Sequence, residues 1–311
     1  MKQQNKILVI RLGALGDFVL CCRAFQSIRK HYKNDRIALL VRQQFASFVK
    51  AMPWFDEIIV DTKPAFWNIK EWLKLSKNIL KFRGDTDKIT VYDFHCKKRQ
   101  TIQYFLLGGC RGTRWSGAAP FCAYKRGLKG IRNWQDAQRL QLEQTGVKWD
   151  ESAINLDWLN ADIEKFNLPD RITVLIPGSS VGKDHKRWGT DKFAELAIYL
   201  LEQSKTVCLV GAASDAEICA DIHARVQNRK LINLCGKTSL FELTGVLRKA
   251  DLVIGGDTGP MQIASVLERK TIALYSSGKI AEWNKPIGTK TRLIHNSNVK
   301  NITVQEVIKL I

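Results

Sequence analysis

The stretch Asp251-Leu-Val-Ile-Gly-Gly-Asp-Thr-Gly-Pro-Met-Gln-Ile-Ala-Ser-Val-Leu267 decides the fold class of this sequence. Its apolar run, Leu252–Ile254, ends in two glycines, and an apolar helical pattern begins at Pro260. This order predicts a buried strand, a tight turn and the start of a helix. Backbone N–H groups at such a helix N-terminus are unpaired and attract anions, and Gly256 and Gly259 would let a phosphate approach closely. The alternative is an ordinary strand-to-helix turn, because glycine and proline occur in most of them.

Length and composition predict a two-domain protein without a membrane span. The 311 residues are enough for two domains that each bury a core. No apolar run approaches the roughly 20 residues of a transmembrane helix, and residues 1–10 lack the features of a signal peptide. The eight cysteines show no CxxC pair and no histidines at zinc spacing, which favours free thiols. We therefore expect a cytoplasmic protein with no metal and no cofactor.

The net charge of +19 is concentrated in the first half of the chain. Residues 1–160 hold 28 basic and 14 acidic residues, a net of +14, whereas residues 161–311 hold 21 and 16, a net of +5. The segment Lys97–Arg132 contains nine basic residues and no acidic one, interleaved with aromatic residues such as Trp115 and Phe121. It fits a solvated basic face, a nucleic-acid groove, or a surface for anionic lipids and phosphorylated glycolipids. Composition does not choose among these three.

The chain begins with the same order of strand, glycine turn and helix. A strand at Lys6–Ile10 is followed by the turn Arg11–Asp17 and by a helix from about Phe18 to Tyr32. The turn lacks the G-x-G-x-x-G spacing, and no acidic residue clearly ends the next strand, Ile37–Val41, which argues against an NAD-linked oxidoreductase. Asp17 stands where a helix cap would stand, and capping alone is its simplest role.

The rest of the first half is predicted from apolar patterns. We expect strands at Glu57–Asp61 and Lys88–His95, and helices at Trp67–Phe82 and Trp134–Thr145. The segment Gly108–Gly130 has no clear periodicity, so an exposed, mobile loop is expected there.

A linker is expected at Gly146–Asp170, which lacks strong periodicity and holds turn signals. We place the boundary near residue 165, which gives a first domain of residues 1–165 and a second of residues 166–311.

The second half alternates short apolar strands with amphipathic helices. The expected strands are Thr173–Ile176, Thr206–Val210, Leu231–Asn233, Leu252–Ile254 and Thr271–Leu274, and the expected helices are Asp191–Gln203, Asp215–Val226, Ser239–Arg248 and Pro260–Leu267. This alternation predicts an α/β domain with a parallel sheet covered on both faces. Ligands of such sheets bind at the carboxyl ends of the strands, where the loops Pro177–Trp188, Gly211–Glu217 and Gly255–Gly259 would lie.

The first of these loops, I-P-G-S-S-V-G-K-D-H-K-R-W at 176–188, combines small residues with cations. The small residues expose N–H and hydroxyl donors, while Lys183, Lys186 and Arg187 supply the charge that a diphosphate requires. The loop is not a P-loop, because Asp184 stands where serine or threonine is needed. A mononucleotide diphosphate bound without a P-loop is the better fit, and a solvated basic loop is the alternative.

Four motifs in this order resemble the ADP-heptose:lipopolysaccharide heptosyltransferase family. They are K-I-L-V-I-R-L-G-A-L-G-D at 6–17, the 176–188 loop, V-G-A-A-S-D at 210–215 and G-D-T-G-P-M-Q at 256–262. The segment Y-D-F-H-C-K-K-R at 92–99 resembles the family's D-x-Q-G-x-x-K-S segment more loosely. The resemblance spans nearly the whole chain. It implies a GT-B architecture of two Rossmann-like domains with parallel sheets facing across a cleft, the acceptor on the first and the sugar nucleotide on the second.

The resemblance also implies an inverting, metal-independent transfer of a heptose or related sugar. Asp17 is then the candidate base, which suffices if the proton moves late, after the attacking oxygen has become acidic. Lys186 and the amides of Thr258 and Gly259 would stabilise the departing ADP. Asp215 could bind the ribose hydroxyls. The expected nucleotide-sugar residues are Ser179, Ser180, Lys186, Asp215, Asp257, Thr258, Gly259 and Gln262.

The expected partners are an ADP-sugar and an anionic lipopolysaccharide inner-core acceptor. The acceptor lies in the cytoplasmic leaflet of the inner membrane, so we expect a monomer that binds this membrane peripherally and binds no nucleic acid. The expected acceptor-binding or membrane-binding residues are Lys97, Lys98, Arg99, Arg111, Arg114, Lys125 and Arg126. Trp115 and Phe121 would enter the headgroup layer.

Two positions differ from the family pattern. Gln262 stands where the family's D-T-G-x-x-H usually has histidine, and His95 and Cys96 replace the usual Q-G. A sugar other than heptose therefore stays open. The rival hypothesis is a catalytically weakened homologue that binds nucleotide sugar or glycolipid as a scaffold.

Overall fold

A computed structural model of the protein describes residues 5–65, 67–84, 89–96, 113–119, 122–127, 129–179 and 182–311. The chain passes from one folded unit to a second between Trp158 and Leu159, and we call these units the N-terminal and C-terminal domains. Six of the residues expected above to bind substrate or membrane lie outside the described residues: Lys97, Lys98, Arg99, Arg111, Phe121 and Ser180. Lys88 and Gly108, the first residues of two predicted segments, also lie outside them.

The N-terminal domain alternates strands and helices along the chain. Its described strands are β1 (Lys6–Ile10), β2 (Arg36–Arg42), β3 (Glu57–Asp61), β4 (Ile89–Asp93), β5 (Thr113–Gly117) and β6 (Tyr124–Lys125). Its described helices are α1 (Leu15–His31), α2 (Ala46–Lys50), α3 (Ile69–Arg83) and α4 (Trp134–Glu143), and a 3₁₀ turn at Gln43–Phe45 precedes α2. The predicted strands β1 and β3 are confirmed to the residue.

All six strands are parallel, in the order β3-β2-β1-β4-β5-β6. Strands β1 to β3 follow one another toward one side of the sheet, and strands β4 to β6 follow one another toward the other side. The direction in which successive strands are added therefore reverses between β1 and β4. Ile10 at the end of β1 lies beside Asp93 at the end of β4. The loops after both strands therefore meet at one edge, where doubly wound sheets bind ligands.

The N-terminal core forms because apolar residues recur with the period of each element. β1 is buried on both faces, as expected for the central strand of a covered parallel sheet. The inner face of α3 packs on this sheet through Trp72, Leu75, Ile79 and Phe82. Residues three and four apart share a helix face, so this one stripe is enough to pack α3 on the sheet.

The exposed loop expected at Gly108–Gly130 is wrong where the described residues form strands, at Thr113–Gly117 and Tyr124–Lys125. Residues Thr113–Gly117 form β5, which pairs with β4, and Trp115 is fully buried. The sequence Thr-Arg-Trp-Ser-Gly has no strong strand propensity, and burial of the indole against the sheet determines its conformation. Trp115 is therefore unavailable to a lipid headgroup layer.

The C-terminal domain repeats this construction. Its described strands are β7 (Ile172–Ile176), β8 (Val207–Leu209), β9 (Leu231–Asn233), β10 (Ala250–Gly256), β11 (Lys270–Tyr275) and β12 (Thr291–His295). Its described helices are α5 (Thr190–Glu202), α6 (Ala216–Val226), α7 (Leu240–Lys249), α8 (Gly259–Val266), α9 (Gly278–Trp283) and α10 (Val304–Ile308). Short 3₁₀ turns occur at Glu164–Phe166, Asp184–Lys186, Ala213–Asp215 and Val299–Asn301.

The second sheet is also fully parallel, in the order β12-β11-β10-β7-β8-β9. Counted from β7, this is the same doubly wound order as in the N-terminal domain. The predicted alternation of strands and helices is confirmed, and β12, α9 and α10 were not predicted. Because β10, β7 and β8 are neighbours, the loops that follow them lie at the same edge of the sheet, as the sequence predicted.

Candidate functional site

The loop after β7 packs closely on the loop after β8. An added Cβ at Gly178 would lie 2.1 Å from the Asp215 carboxyl carbon, so only glycine allows this approach. Asp215 is buried, and its Oδ2 accepts a hydrogen bond from the Ala212 N–H at 3.0 Å. Its Oδ1 lies 3.7 Å from Arg187 Nη2. Asp215 thus holds the two loops together.

Lys186 joins the loop after β7 to the loop after β10. Its Nζ donates to Asp257 Oδ2 at 2.6 Å, in a pair that is mostly shielded from solvent. Asn284 Nδ2 donates to the same oxygen at 3.2 Å. The Lys186 backbone carbonyl also faces Gly256, where an added Cβ would come within 3.2 Å of it. These contacts fix an ammonium group at the switch point between β7 and β10.

Helix α8 starts directly beyond this ion pair. Thr258 is its N-cap in an extended conformation, its side chain makes no capping hydrogen bond, and Pro260 occupies the first turn. Thr258 Oγ1 is buried and has no hydrogen-bond partner among the described residues. The first amides of α8 and this hydroxyl are therefore available to an anion, which the helix dipole also attracts.

Gln262 lies buried one turn into α8. Its Nε2 donates to the Asn284 carbonyl at 3.1 Å, and the Tyr275 hydroxyl donates to the same oxygen at 3.1 Å. Gln262 Oε1 has no hydrogen-bond partner among the described residues. Burial, followed by the charge of Asp257, raises the pKa of the Tyr275 phenol, which keeps it a donor. Gln262 and Tyr275 therefore position the Asn284 backbone beneath the Lys186 pair.

Asp17 lies in the first turn of α1 and is partly exposed. Its Oδ2 accepts a hydrogen bond from the Ala14 N–H at 2.8 Å and forms an ion pair with Arg11 Nη2. Arg11 is buried, and its Nη1 donates to the Phe94 carbonyl at 2.6 Å. Asp17 is thus held in a fixed position by a cation and a backbone amide.

A second carboxylate, Asp93, lies at the same edge of the N-terminal sheet. Asp93 is fully buried, and its Oδ1 accepts from the N–H groups of His95 and Cys96, each at 2.9 Å. Burial raises the pKa of Asp93 to about 6, although the two N–H groups and the charges of Arg126 and Arg11 act in the opposite direction. Its Oδ2 has no hydrogen-bond partner within the described ranges.

Two arginines converge on Trp134 beside these carboxylates. The guanidinium carbons of Arg11 and Arg126 lie 5.1 and 5.0 Å from its ring centroid. Arg126 Nε and Nη1 are buried and have no hydrogen-bond partner among the residues described. Buried N–H donors without a partner are costly, so an anion here would satisfy them.

Sequence reasoning named Asp17 and Arg126 but missed Arg11, Asp93 and Trp134. Arg11 directly follows β1 and Asp93 ends β4, and these two strands are neighbours in the sheet. A correct prediction of the strand order would therefore have placed Arg11 and Asp93 together.

The other predicted residues are distributed as follows. Arg114 and Lys125 are exposed on β5 and β6, and Arg114 donates to the Tyr124 hydroxyl. Ser179 is buried and donates to the Lys183 carbonyl at 3.1 Å. Within the described ranges, no three His, Cys, Asp or Glu side chains are grouped as metal ligands. None of the described helices is long and apolar enough to cross a membrane.

Comparison with known proteins identifies the family. Residues 133–309 match glycosyltransferase family 9 (heptosyltransferase). Over 291 residues, 34% are identical to lipooligosaccharide heptosyltransferase 2 of Campylobacter jejuni, covering 90% of this chain and 84% of that protein.

Two solved structures share the fold. A family 9 glycosyltransferase from Veillonella parvula superposes with a TM-score of 0.83 at 22% identity, covering 100% of this chain and 97% of the other. Escherichia coli heptosyltransferase WaaC with ADP superposes with a TM-score of 0.73 at 17% identity, covering 98% of each chain. The expected GT-B fold class is confirmed. The chain therefore belongs to glycosyltransferase family 9, the heptosyltransferases, and is a glycosyltransferase.

Proposed function

We propose that this enzyme transfers heptose from ADP-heptose to the inner core of lipopolysaccharide or lipooligosaccharide, with inversion at the anomeric carbon. The observation that carries the proposal is the Lys186–Asp257 pair beside the open N-terminus of α8. A cation, unpaired amides and a buried hydroxyl within one loop edge match the needs of a nucleoside diphosphate. The similarity to a lipooligosaccharide heptosyltransferase 2 supports heptose and the core acceptor.

On the donor side, the diphosphate takes the position between Lys186 and the first amides of α8. Thr258 and Gly259 donate to its oxygens, and Asp257 orients the lysine. Asp215 acts chiefly by keeping the loops after β7 and β8 in place, and its Oδ1 lies near Arg187. The same oxygen is the proposed contact to the ribose hydroxyls. Ser179, Ser180 and Gln262 complete the proposed donor site.

In the transfer step, an acceptor hydroxyl oxygen forms a bond to the anomeric carbon while the bond from that carbon to the diphosphate breaks. The electron pair leaves with ADP, whose growing charge is stabilised by Lys186 and the α8 amides. The hydroxyl proton passes to Asp17, which Arg11 and the Ala14 N–H hold in place.

The acceptor is bound by the N-terminal domain. The buried N–H groups of Arg126, with Arg11 and Trp134 beside them, form the best-defined anion site there. The exposed Arg114 and Lys125 extend this positive region. We further propose that the enzyme works as a monomer bound peripherally to the cytoplasmic face of the inner membrane.

The test is a transfer assay with purified enzyme, ADP-heptose and a core glycolipid that lacks the heptose. We expect a product one heptose heavier, with the anomeric configuration inverted relative to the donor, as read by mass spectrometry and NMR. Donor binding without turnover would instead support the scaffold hypothesis, and a product with retained configuration would contradict the mechanism.

A further inference from the structure

The outward side of α3 carries large apolar side chains that the fold does not use. Trp67 is 84% exposed, Ile69 69%, Leu73 60% and Leu80 43%. Among the described residues the one other large hydrophobic side chain exposed in this way is Ile198, on α5 of the other domain. Soluble proteins rarely group such residues, and a group of this kind marks an interaction surface.

These apolar residues form one stripe of the helix. Ile69, Leu73 and Leu80 are spaced by four and seven residues, which at about 100° per residue places them on the same side. The stripe is separate from the inner face, whose buried residues include Trp72 and Ile79. Helix α3 therefore has two apolar faces, and only the inner one packs on the sheet.

A row of lysines runs beside the exposed apolar stripe. Lys70, Lys74, Lys77 and Lys81 are all exposed and share the same helical spacing. Glu71 is the sole acidic residue of α3; it lies three residues before Lys74, on the side of the lysine row opposite the apolar stripe, and accepts from the Thr62 hydroxyl at 3.4 Å. The outward side of α3 is thus apolar along one stripe and uniformly positive along the next.

Trp67 is held outward by its surroundings. The Asn68 N–H donates to the Ala65 carbonyl at 2.9 Å, and the Ile69 N–H donates to the Trp67 carbonyl at 3.0 Å. The Trp72 indole also donates to the Ala65 carbonyl at 3.1 Å. The backbone around Trp67 is therefore fixed while its ring stays in solvent.

The start of α3 lies at the functional edge of the N-terminal sheet. Strand β3 ends at Asp61, and all strands are parallel, so the segment leading to Trp67 leaves the same edge at which Arg11 and Asp93 lie. A membrane that contacts the first turn of α3 would thus lie near the sheet edge that carries the proposed acceptor site.

We propose that Trp67 and the outward side of α3 dock the enzyme on an anionic lipid bilayer. We call this surface, made of Trp67, Ile69, Lys70, Leu73, Lys74, Lys77, Leu80 and Lys81, the α3 docking face. An apolar stripe beside a lysine row, with a tryptophan at one end, is the composition of helices that lie in the headgroup region. Each lysine near an anionic leaflet adds attraction that salt weakens. Protein interfaces, in contrast, are depleted in lysine.

This inference rests on the proposed function in one respect, namely that the acceptor is a membrane glycolipid. It also assigns the membrane contact to a surface other than Lys97–Arg132. The tryptophan of that segment, Trp115, is fully buried, whereas Trp67 is the most exposed large apolar residue among those described.

The test is co-sedimentation of the full-length enzyme with vesicles, which needs no substrate. Phosphatidylcholine vesicles with and without 30% phosphatidylglycerol (a mole fraction of about 0.3) provide the anionic and neutral surfaces. We expect W67A/L73A and K74E/K77E each to weaken binding to the anionic vesicles by about tenfold or more. The matched controls, Ile198→Ala and R229E/K230E, change exposed residues of the C-terminal domain and should bind like the wild type.

Vesicle binding by W67A/L73A equal to the wild type would overturn the proposal. Equal binding of the wild type to neutral and anionic vesicles would also overturn it. If W67A/L73A binds vesicles like the wild type but sediments more slowly than the wild type without vesicles, the α3 docking face binds another protein molecule instead.

An activity measurement separates this proposal from the proposed function. With an acceptor stripped of its acyl chains, W67A/L73A should keep wild-type turnover, whereas with vesicle-bound acceptor its kcat/KM should fall about tenfold. If the wild type transfers no heptose but its vesicle binding depends on Trp67, the proposed function fails and the docking face stands. A variant that loses turnover equally on both acceptors would contradict docking.

Discussion

Lys186 Nζ donates to Asp257 Oδ2 at 2.6 Å, so the cation after β7 and the carboxylate after β10 form one unit at the switch point of the C-terminal sheet. Neither loop alone presents this arrangement. The pair lies beside the N-terminus of α8, where the first amides are open to an anion.

Replacing Lys186 with alanine should weaken ADP binding by about 1.5–3 kcal/mol, the usual loss for a hydrogen bond to a charged group. The variant loses the ammonium that pairs with Asp257 just before the α8 N-terminus, which also leaves the Asp257 carboxylate facing the diphosphate. Calorimetric titration with ADP measures the change. Lys230→Ala alters an exposed cation just before β9, at the opposite edge of the same sheet, and serves as the control. Unchanged affinity of the Lys186 variant would remove this residue from the donor site.

Replacing Asp17 with asparagine should lower turnover by about 10²–10⁴ while ADP affinity stays nearly constant. The amide oxygen can still accept from the Ala14 N–H, but the side chain cannot take a proton. Initial rates at saturating donor, together with a melting curve, measure both effects. A variant with normal turnover but lowered stability would show that Asp17 is a cap only.

Replacing Asp93 with asparagine should stabilise the protein near neutral pH. Burial raises the pKa of Asp93 from 3.8 to about 6, so between these values the folded state binds the proton more tightly than the unfolded state. Stability from this group is therefore present below pH 4 and lost as the pH rises through 6, a change on the order of 2–3 kcal/mol.

Urea unfolding of the wild type and Asp93→Asn at pH 7.5 and 4.5 measures this effect. The variant should be more stable at pH 7.5, and the difference should shrink at pH 4.5. An equal difference at both values would mean that Asp93 does not titrate in this range.

Replacing Gly178 with alanine should destabilise the C-terminal domain by about 1–3 kcal/mol, the usual cost of overpacking. The new methyl group would displace Asp215, so ADP affinity should fall as well. Gly127→Ala is the control, because an added Cβ there meets nothing within 4 Å. Thermal unfolding and ADP titration test both expectations, and a Gly178 variant that melts like the wild type would contradict the close approach.

Most of the architecture was predictable because its signals are local. β1 and β7 are short apolar runs that end in glycine-containing turns, and such runs determine both the strand and the edge at which the next loop lies. Lys186 and Thr258 were found in this way, since each lies in a loop that follows such a strand.

The remaining features depend on contacts between distant parts of the chain. Arg11, Asp93 and Trp134 are separated by tens of residues, and the strand order and a helix dock bring them together. Strand β5 was missed because Trp115 has no alternating apolar neighbours, and its burial comes from the sheet and α3. The α3 docking face was visible as a helix rich in tryptophan and lysine, but packing decides which of its apolar residues face outward.

Each sheet takes all of its strands from one continuous part of the chain. β1 to β6 precede Trp158, and β7 to β12 follow Leu159, so neither sheet waits for a strand from the other half. During synthesis the N-terminal domain can therefore complete its sheet while the C-terminal half is still on the ribosome. A gene fragment encoding residues 159–311 should accordingly yield a cooperatively folding protein, with its own hydrophobic core and its donor loops intact.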